Sequence, residues 1–162
     1  MSVLPPTGLV VRRAVAGDLY EVAALERRCF SDPWSAMAFA SLPQNPAVYF
    51  GVARHGVGGP LAGYVIAWRV LEEGEVANLA VEPSARRVGV GSQLLDEMLT
   101  DARQQLVKRI YLEVRESNAA ARRLYATRGF KEVGRRRKYY RSPEEDALIL
   151  QREEHGTALA VR

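Results

Sequence analysis

Cysteine is nearly absent from this chain. Cys29 is the single one, so no internal disulfide framework can hold the fold. Histidine is almost as scarce. His55 and His155 lie far apart, and with one cysteine they form no zinc spacing such as C-x-x-C followed by H-x-x-x-H, so no metal is expected. Nothing resembles the G-x-S-x-G turn that presents a hydrolase serine. Gly, Arg or Glu interrupts every apolar run before it nears the ~20 residues of a membrane helix. The N-terminus, MSVLPPTGLVVRRAV, carries two prolines where a secretory leader would have its apolar core, and no basic residue precedes them. A cytoplasmic protein without a membrane segment is the expectation. Lysine is also rare, so arginine supplies most of the 23 basic residues. The net charge of +4 suits an anionic ligand or work near nucleic acid, and alone decides neither.

The chain has 162 residues, which is one ordinary domain. A chain of that length buries roughly 70% of the surface it exposes when unfolded, enough for a core without metal or disulfide. With 48% apolar and 26% charged residues it is neither disordered nor collagen-like. No repeat or domain linker interrupts it. One domain over residues 10–152 is expected, with a flexible stretch 1–9 before it and a loose tail 153–162 after it.

Periodicity predicts the elements. A strand begins near Val10. Asp18-Leu19-Tyr20-Glu21 has capping-box spacing with Asp in the Ser/Thr position. Leu19, Val22, Ala23 and Glu26 follow at helical steps, giving a helix over about 18–29. A shorter helix follows Pro33 and Trp34 and ends before Pro43. Val48 to Arg54 and Leu61 to Val70 read as strands joined by the turn Gly56 to Pro60. Glu75 to Val81 is a strand stopped by Pro83. Leu95, Met98, Leu99, Ala102 and Leu106 share one face of a helix running from about Val88 to Leu106. Ile110 to Val114 is a strand, and Asn118 to Thr127 a helix that Gly129 closes. Phe130 to Val133, Lys138 to Tyr140 and Ala147 to Gln151 read as strand segments. The order implies an α/β (α+β) fold, a mixed sheet of about seven strands flanked by about four helices. The strands on either side of the long helix should be parallel neighbours.

The first chemical signal is Arg86-Arg87-Val88-Gly89-Val90-Gly91, between a strand and an amphipathic helix. Helix-starting N–H groups point outward there, the helix dipole adds partial positive charge, and glycine lets the backbone approach a phosphate. No G-K-[ST] follows, so it is not a Walker loop, and G-x-G-x-x-G is absent. A Gly-rich turn with solvated arginines would show the same letters.

The segment NLAVEPSARRVGVGSQLL (residues 78–95) resembles motif A of the GNAT acetyltransferases, R/Q-x-x-G-x-G/A after a strand and before a helix. LEVRESNAAARRLYATRGF (112–130) is similar to the motif that follows it. FSDPWS (30–35) and RRRKYYRSPEEDALIL (135–150) narrow the resemblance to the RimI branch, which acetylates the N-terminal amine of small-subunit ribosomal protein eighteen. The resemblance runs from about Val10 to Gln151. Arg86 stands where Gln is frequent. Asp32 is an insertion where close relatives read F-P-W.

The resemblance implies acetyl-coenzyme A (acetyl-CoA) as co-substrate. Its pyrophosphate would lie on Arg86, Arg87, Val88, Gly89, Val90, Gly91 and Ser92. Its pantetheine arm would lie along Leu79, Ala80 and Val81, with the Val81 N–H near the thioester oxygen. Asn118 would contact the cofactor, and is equally a good helix N-cap. Strand alternation puts Tyr111, Glu113 and Arg115 on one face. Glu113 there is either a solvated carboxylate or, as the resemblance implies, the general base. Tyr125 is either an aromatic packed on the sheet or the acid for the leaving thiolate, protonated at pH 7 with a reference pKa near ~10. Trp34 and Tyr139 are candidate acceptor contacts that could also be core aromatics. Glu72 and Glu73, with Glu75, could receive arginines of a basic peptide or form a solvated hairpin. Arg135 to Arg137 could meet RNA or be exposed strand-end arginines, and direct nucleic-acid binding is not expected. Cys29 should be buried and inert.

The expected activity is acetyl transfer to a protein N-terminal amine, with a ribosomal protein's N-terminal peptide as partner. Two readings compete. One keeps the fold and changes the acceptor to lysine, a polyamine or an aminoglycoside, since motif A reads only the cofactor. The other is a non-catalytic domain binding acetyl-CoA or ribosomal RNA as an assembly factor.

Overall fold

The computed structural model describes residues 8–154. In chain order its main elements are β1 (Leu9–Arg13), α1 (Leu19–Cys29), α2 (Ala36–Phe39), β2 (Val48–His55), β3 (Leu61–Val70) and β4 (Glu73–Val81). They continue with α3 (Val90–Gln104), β5 (Arg109–Arg115), α4 (Ala119–Thr127), β6 (Lys131–Arg141) and β7 (Glu144–Glu153). The seven strands form one mixed sheet in the order β1-β2-β3-β4-β5-β7-β6, with four α-helices among the described residues. This is the expected fold class. Most of the expected N-terminal stretch and tail, residues 1–7 and 155–162, lies outside the described residues. The chain divides into two compact units, residues 8–68 with 76–99 and residues 69–75 with 100–154.

In the first unit β1, β2 and β3 form an antiparallel meander. Val22 and Leu25 of α1 and Phe39 of α2 join Val52, Tyr64 and Ile66 in a fully buried core. The expected capping box at Asp18 and Glu21 is not formed. A 3₁₀ turn, Ala16–Asp18, precedes α1, and the Asp18 side chain makes no cap bond to that helix. Asp18 is instead buried and accepts from the Val15 N–H (2.8 Å), from Arg12 (2.7 and 2.9 Å) and from Arg54 (2.7 and 3.1 Å). Glu21 turns to Arg54 at 3.1 Å and to the Leu61 N–H at 3.4 Å. Charge-assisted bonds to two guanidiniums outweigh one backbone N–H for a carboxylate taken out of water. Gly63 has a different task. A Cβ there would stand 2.6 Å from the Ala80 carbonyl oxygen and 3.0 Å from Leu94 Cδ1. Its bareness lets β4 and the start of α3 close onto β3, which fixes the Gly-rich loop.

In the second unit β7 lies between β5 and β6, antiparallel to both. Ile110, Leu112 and Val114 are buried while Tyr111, Glu113 and Arg115 are only half-buried, the predicted alternation. The Lys108 N–H donates to the Glu72 carbonyl at 2.7 Å, which joins the start of β4 to the start of β5. Asn118 caps α4 by accepting from the Ala121 N–H at 3.1 Å, and Gly129 beyond its end has φ +80°. The two segments expected around residues 130–140 are one strand, β6. Register shifts between Arg136, paired with Ala147, and Tyr140, paired with Glu145. Lys138 takes φ +52° in this bulge, and its N–H is held by Asp146 Oδ1 at 2.9 Å. Arg135 to Arg137 therefore sit inside a strand, not at its end or in a turn. β6 is a sheet edge, and a bulge with a row of cations is how an edge avoids pairing with another chain.

Candidate active site

The first unit carries the Gly-rich loop. Arg86 is extended, Arg87 has φ +67° and Gly89 has φ +90°, so the chain turns twice through left-handed backbone before α3 begins at Val90. The helix starts two residues later than periodicity suggested, and Val88 and Gly89 belong to the turn. The first ladder bond into the helix runs from the Gln93 N–H to the Gly89 carbonyl at 3.0 Å, so the N–H groups of Val90, Gly91 and Ser92 precede the ladder. With Arg87 exposed beside them, these donors suit a pyrophosphate. Arg86 is exposed too, but it is held back along the loop. Its Nε donates to the Val81 carbonyl at 3.1 Å, so it braces the loop against the end of β4.

At that strand end the Glu82 N–H donates to Ala62 of β3 at 2.8 Å. Successive N–H groups of a strand face opposite edges, so the Val81 N–H faces away from β3. Cys29 lies beside the Val81 carbonyl, with Sγ at 3.8 Å. Cys29 is half-buried rather than buried as expected, and burial pushes its thiol up despite nearby Arg86. Trp34 is stacked on Trp68, centroids 5.8 Å apart and rings 5° from parallel, and packs on Phe39. Its backbone N–H donates to Glu26 Oε1 at 3.2 Å. Glu26 is a buried carboxylate, and it also receives the Tyr64 hydroxyl and the Asn78 amide (3.1 Å to each oxygen). This network ties the FSDPWS loop to β3 and β4. Periodicity counted Glu26 merely as part of a helix face; a carboxylate among apolar positions was the available signal.

The second unit carries the candidate acid and base. Glu113 on β5 forms an ion pair with Arg136 on β6, Oε1 to Nε 2.7 Å. The Tyr139 hydroxyl is hydrogen-bonded to the same carboxylate, which raises the phenol's pKa, and Glu75 adds to the effect. Tyr139 packs edge-on against Tyr140, and the Arg115 guanidinium lies 4.1 Å from the Tyr140 ring centroid. Burial, with help from Glu113 and Tyr139, pushes the Tyr140 phenol up to about 12. Tyr125 on α4 is buried against Phe130, and burial pushes its phenol well above the ordinary range. Tyr140 is the next contributor. One polar cluster thus gathers Glu113, Tyr139, Tyr140 and Arg136, with Tyr125 within electrostatic reach of Tyr140.

Other predicted positions lie outside this cluster. Glu72 pairs with Lys108 at 2.9 Å and Glu73 with Arg109 at 3.6 Å, both at the start of β4 and β5. Arg135 is held by Glu116 and Asp146 at 2.8 and 2.9 Å. Among the described residues no group of three His, Cys, Asp or Glu could hold a metal, and no helix is long and apolar enough to cross a membrane.

Comparison with known proteins gives this arrangement a class. The Acetyltransferase (GNAT) family matches residues 19–130. The [ribosomal protein bS18]-alanine N-acetyltransferase of Escherichia coli K12 is 36% identical over 135 residues, 82% of this chain and 89% of that protein. The N-alpha-acetyltransferase RimI of Mycobacterium tuberculosis H37Rv is 39% identical over 142 residues, 84% of this chain and 87% of that one. The crystal structure of the ribosomal-protein-S18-alanine N-acetyltransferase from Escherichia coli superposes with a TM-score of 0.81 at 33% identity, covering 93% of this chain and 98% of that one. The chain belongs to the GNAT family of acetyltransferases, enzymes that use acetyl-CoA. Within it, the chain is an N-acetyltransferase of the RimI type.

Proposed function

We propose that this enzyme moves the acetyl group of acetyl-CoA to the N-terminal α-amine of a protein, with the N-terminal alanine of small-subunit ribosomal protein eighteen as acceptor. The observation that carries the acceptor is identity above one third with bS18-alanine and N-alpha acetyltransferases over four-fifths or more of both chains. The working unit is one domain over residues 10–152, acting in the cytoplasm.

Acetyl-CoA supplies an activated acyl group, and this chain's residues hold it and manage protons. Leu79, Ala80 and Val81 align the pantetheine arm. The Val81 N–H polarises the thioester carbonyl, and Arg87 to Ser92 take the pyrophosphate. Arg86 supports the phosphate loop from the Val81 carbonyl, and Asn118, the cap of α4, is a further cofactor contact. The amine nitrogen bonds to the carbonyl carbon as the C–S bond breaks, and Glu113 takes the amine proton, directly or through one water. An α-amine with a pKa of about 7.7–8.0 is already partly neutral, so the base has a modest task. Tyr125 is the acid. A phenol pushed upward transfers its proton to a thiolate of reference pKa ~8.5 only uphill, so its main contribution is a hydrogen bond to the departing sulfur. Trp34 and Tyr139 are the proposed acceptor contacts. Glu72 and Glu73 would meet acceptor arginines only by exchanging Lys108 and Arg109. Glu116 and Asp146 engage Arg135, and Glu113 engages Arg136.

The test is mass spectrometry of enzyme with acetyl-CoA and three acceptors. These are an Ala-Arg-Arg-Tyr peptide, the same peptide with a blocked N-terminus and an added lysine, and an aminoglycoside. One acetyl group on the free α-amine alone is the expected result. Acetylated lysine or drug would overturn the acceptor and keep the chemistry. No acetylation with cofactor bound would favour a binding protein.

A further inference from the structure

The base is not idle in this structure. Glu113 Oε1 is held by Arg136 Nε at 2.7 Å, across from β5 to β6, and Tyr139 bonds to the same carboxylate. A guanidinium cannot accept a proton at any pH the protein survives, so Arg136 neither shares the base's work nor relays the proton. While it holds Oε1, one lone pair of that oxygen is engaged and the cation stabilises the carboxylate's charge, so Glu113 is a poorer proton acceptor. Arg136 is also built to leave. Its side chain is 57% exposed against 23% for Glu113, and its guanidinium already lies 5.8 Å from the Tyr139 ring centroid. That ring face can keep the cation once the carboxylate lets go. The other charges around the cluster are Glu75, Arg115 and Glu145. Arg115 is stacked on Tyr140 and paired with Glu145 at 3.3 Å, so Arg136 is the cation that holds the base.

We propose that Arg136 is a positioning residue that keeps Glu113 engaged until the acceptor's ammonium replaces it, exchanging one cation for another and withholding the base from water. This rests on Glu113 being the base, as proposed above. The reaction withheld is hydrolysis of the co-substrate. A water oxygen would bond to the thioester carbon, its proton would pass to Glu113, and the C–S bond would break. The sulfur would leave as thiolate and be protonated, for a net conversion of acetyl-CoA and water to acetate and free coenzyme A. The ion pair costs the enzyme some acceptor affinity and spares acetyl-CoA when no acceptor is present.

The experiment follows coenzyme A release from acetyl-CoA with no acceptor, then the acceptor KM. Arg136→Ala and Arg136→Gln should raise the hydrolysis rate about two- to fivefold, the range an exposed ion pair is worth. Both should lower the KM of the Ala-Arg-Arg-Tyr peptide by a similar factor, with a smaller change in kcat. Arg136→Lys should stay near wild type. Glu113→Gln with Arg136→Ala should hydrolyse no faster than Glu113→Gln alone. Unchanged hydrolysis in both single Arg136 variants overturns the proposal. So does a rise that survives in the double variant, because the restrained group would not be Glu113. If the wild type acetylates no peptide but Arg136→Ala still raises Glu113-dependent hydrolysis, the acceptor assignment fails and the role of Arg136 stands.

Discussion

At the residue scale the proposed base and the proposed acid separate cleanly by environment. Glu113 is half-buried with a cation on one oxygen, whereas Tyr125 is buried, which favours its neutral phenol. Glu113→Gln keeps shape and hydrogen bonding and removes proton acceptance. We expect kcat to fall by about 10²–10⁴ while coenzyme A titrated by calorimetry binds as before. Tyr125→Phe removes one donor to the developing thiolate, and we expect a loss of roughly 10²–10³ in kcat. Replacing acetyl-CoA by a thioester with a more acidic leaving thiol should narrow the Tyr125→Phe defect, because a stabler thiolate needs less help. An equal defect with both thioesters would remove the acid role. Both residue types stood plainly in the sequence, on the predicted strand and helix. The pairing of Glu113 with Arg136 did not, because the two meet across β7, which lies between their strands in the sheet.

Element by element, what repeats locally was legible and what depends on distant partners was not. Strand alternation at residues 110–114, the α3 face of Leu95, Met98, Leu99 and Ala102, and the Asn118 and Gly129 signals around α4 were read correctly because each is set within one or two turns of chain, whereas Leu106, expected on that face, lies past the helix end at Gln104 and is exposed. Asp18 was misread because Arg54, 36 residues away, decides its geometry. β6 was split because Asp146 on β7, eight residues on, fixes Lys138 in the bulge. The tightest constraint on the cofactor side is likewise non-local. Gly63 of β3 admits the Ala80 carbonyl and Leu94, and a carbonyl cannot swing aside as a side-chain tip can. We expect Gly63→Ala to destabilise by about 1–3 kcal/mol, seen as a lowered melting temperature. The displaced start of α3 should raise the KM for acetyl-CoA more than that for the peptide. Equal changes in both KM values would show that α3 is not what moves.

For the molecule as a whole, the titrating groups set stability limits at both ends of the pH scale. Burial alone would raise Asp18, but hydrogen bonds from Arg12, the Val15 N–H and Arg54 together outweigh it and hold its carboxyl well below the usual range. A depressed carboxyl contributes stability above its unfolded pKa of about 3.9, and that stability is lost as pH falls toward the folded value. Asp146, Glu116 and Glu145 are depressed in the same direction by Lys138 N–H, Arg135 and Ser117 respectively. The tyrosines run the other way. Burial raises Tyr64, Tyr125 and Tyr140, the last to about 12, so their contribution is complete below an unfolded pKa of ~10 and disappears as pH climbs through the folded values. Melting temperature should therefore be level from about pH 5 to 9 and fall below about 4 and above about 10. Asp18→Asn separates the acid limb from general charge repulsion. It removes one of the two carboxylates on buried Arg54 and leaves Glu21 as the remaining counter-ion, so stability on the plateau should drop by about 1–3 kcal/mol. Its remaining acid slope should be shallower than wild type, because the most strongly held carboxyl no longer titrates. A parallel curve, lowered but with an unchanged acid slope, would mean that Asp18 packs without being linked to protons, and the acid limb would then belong to the surface carboxylates on β7 and the turn before α4.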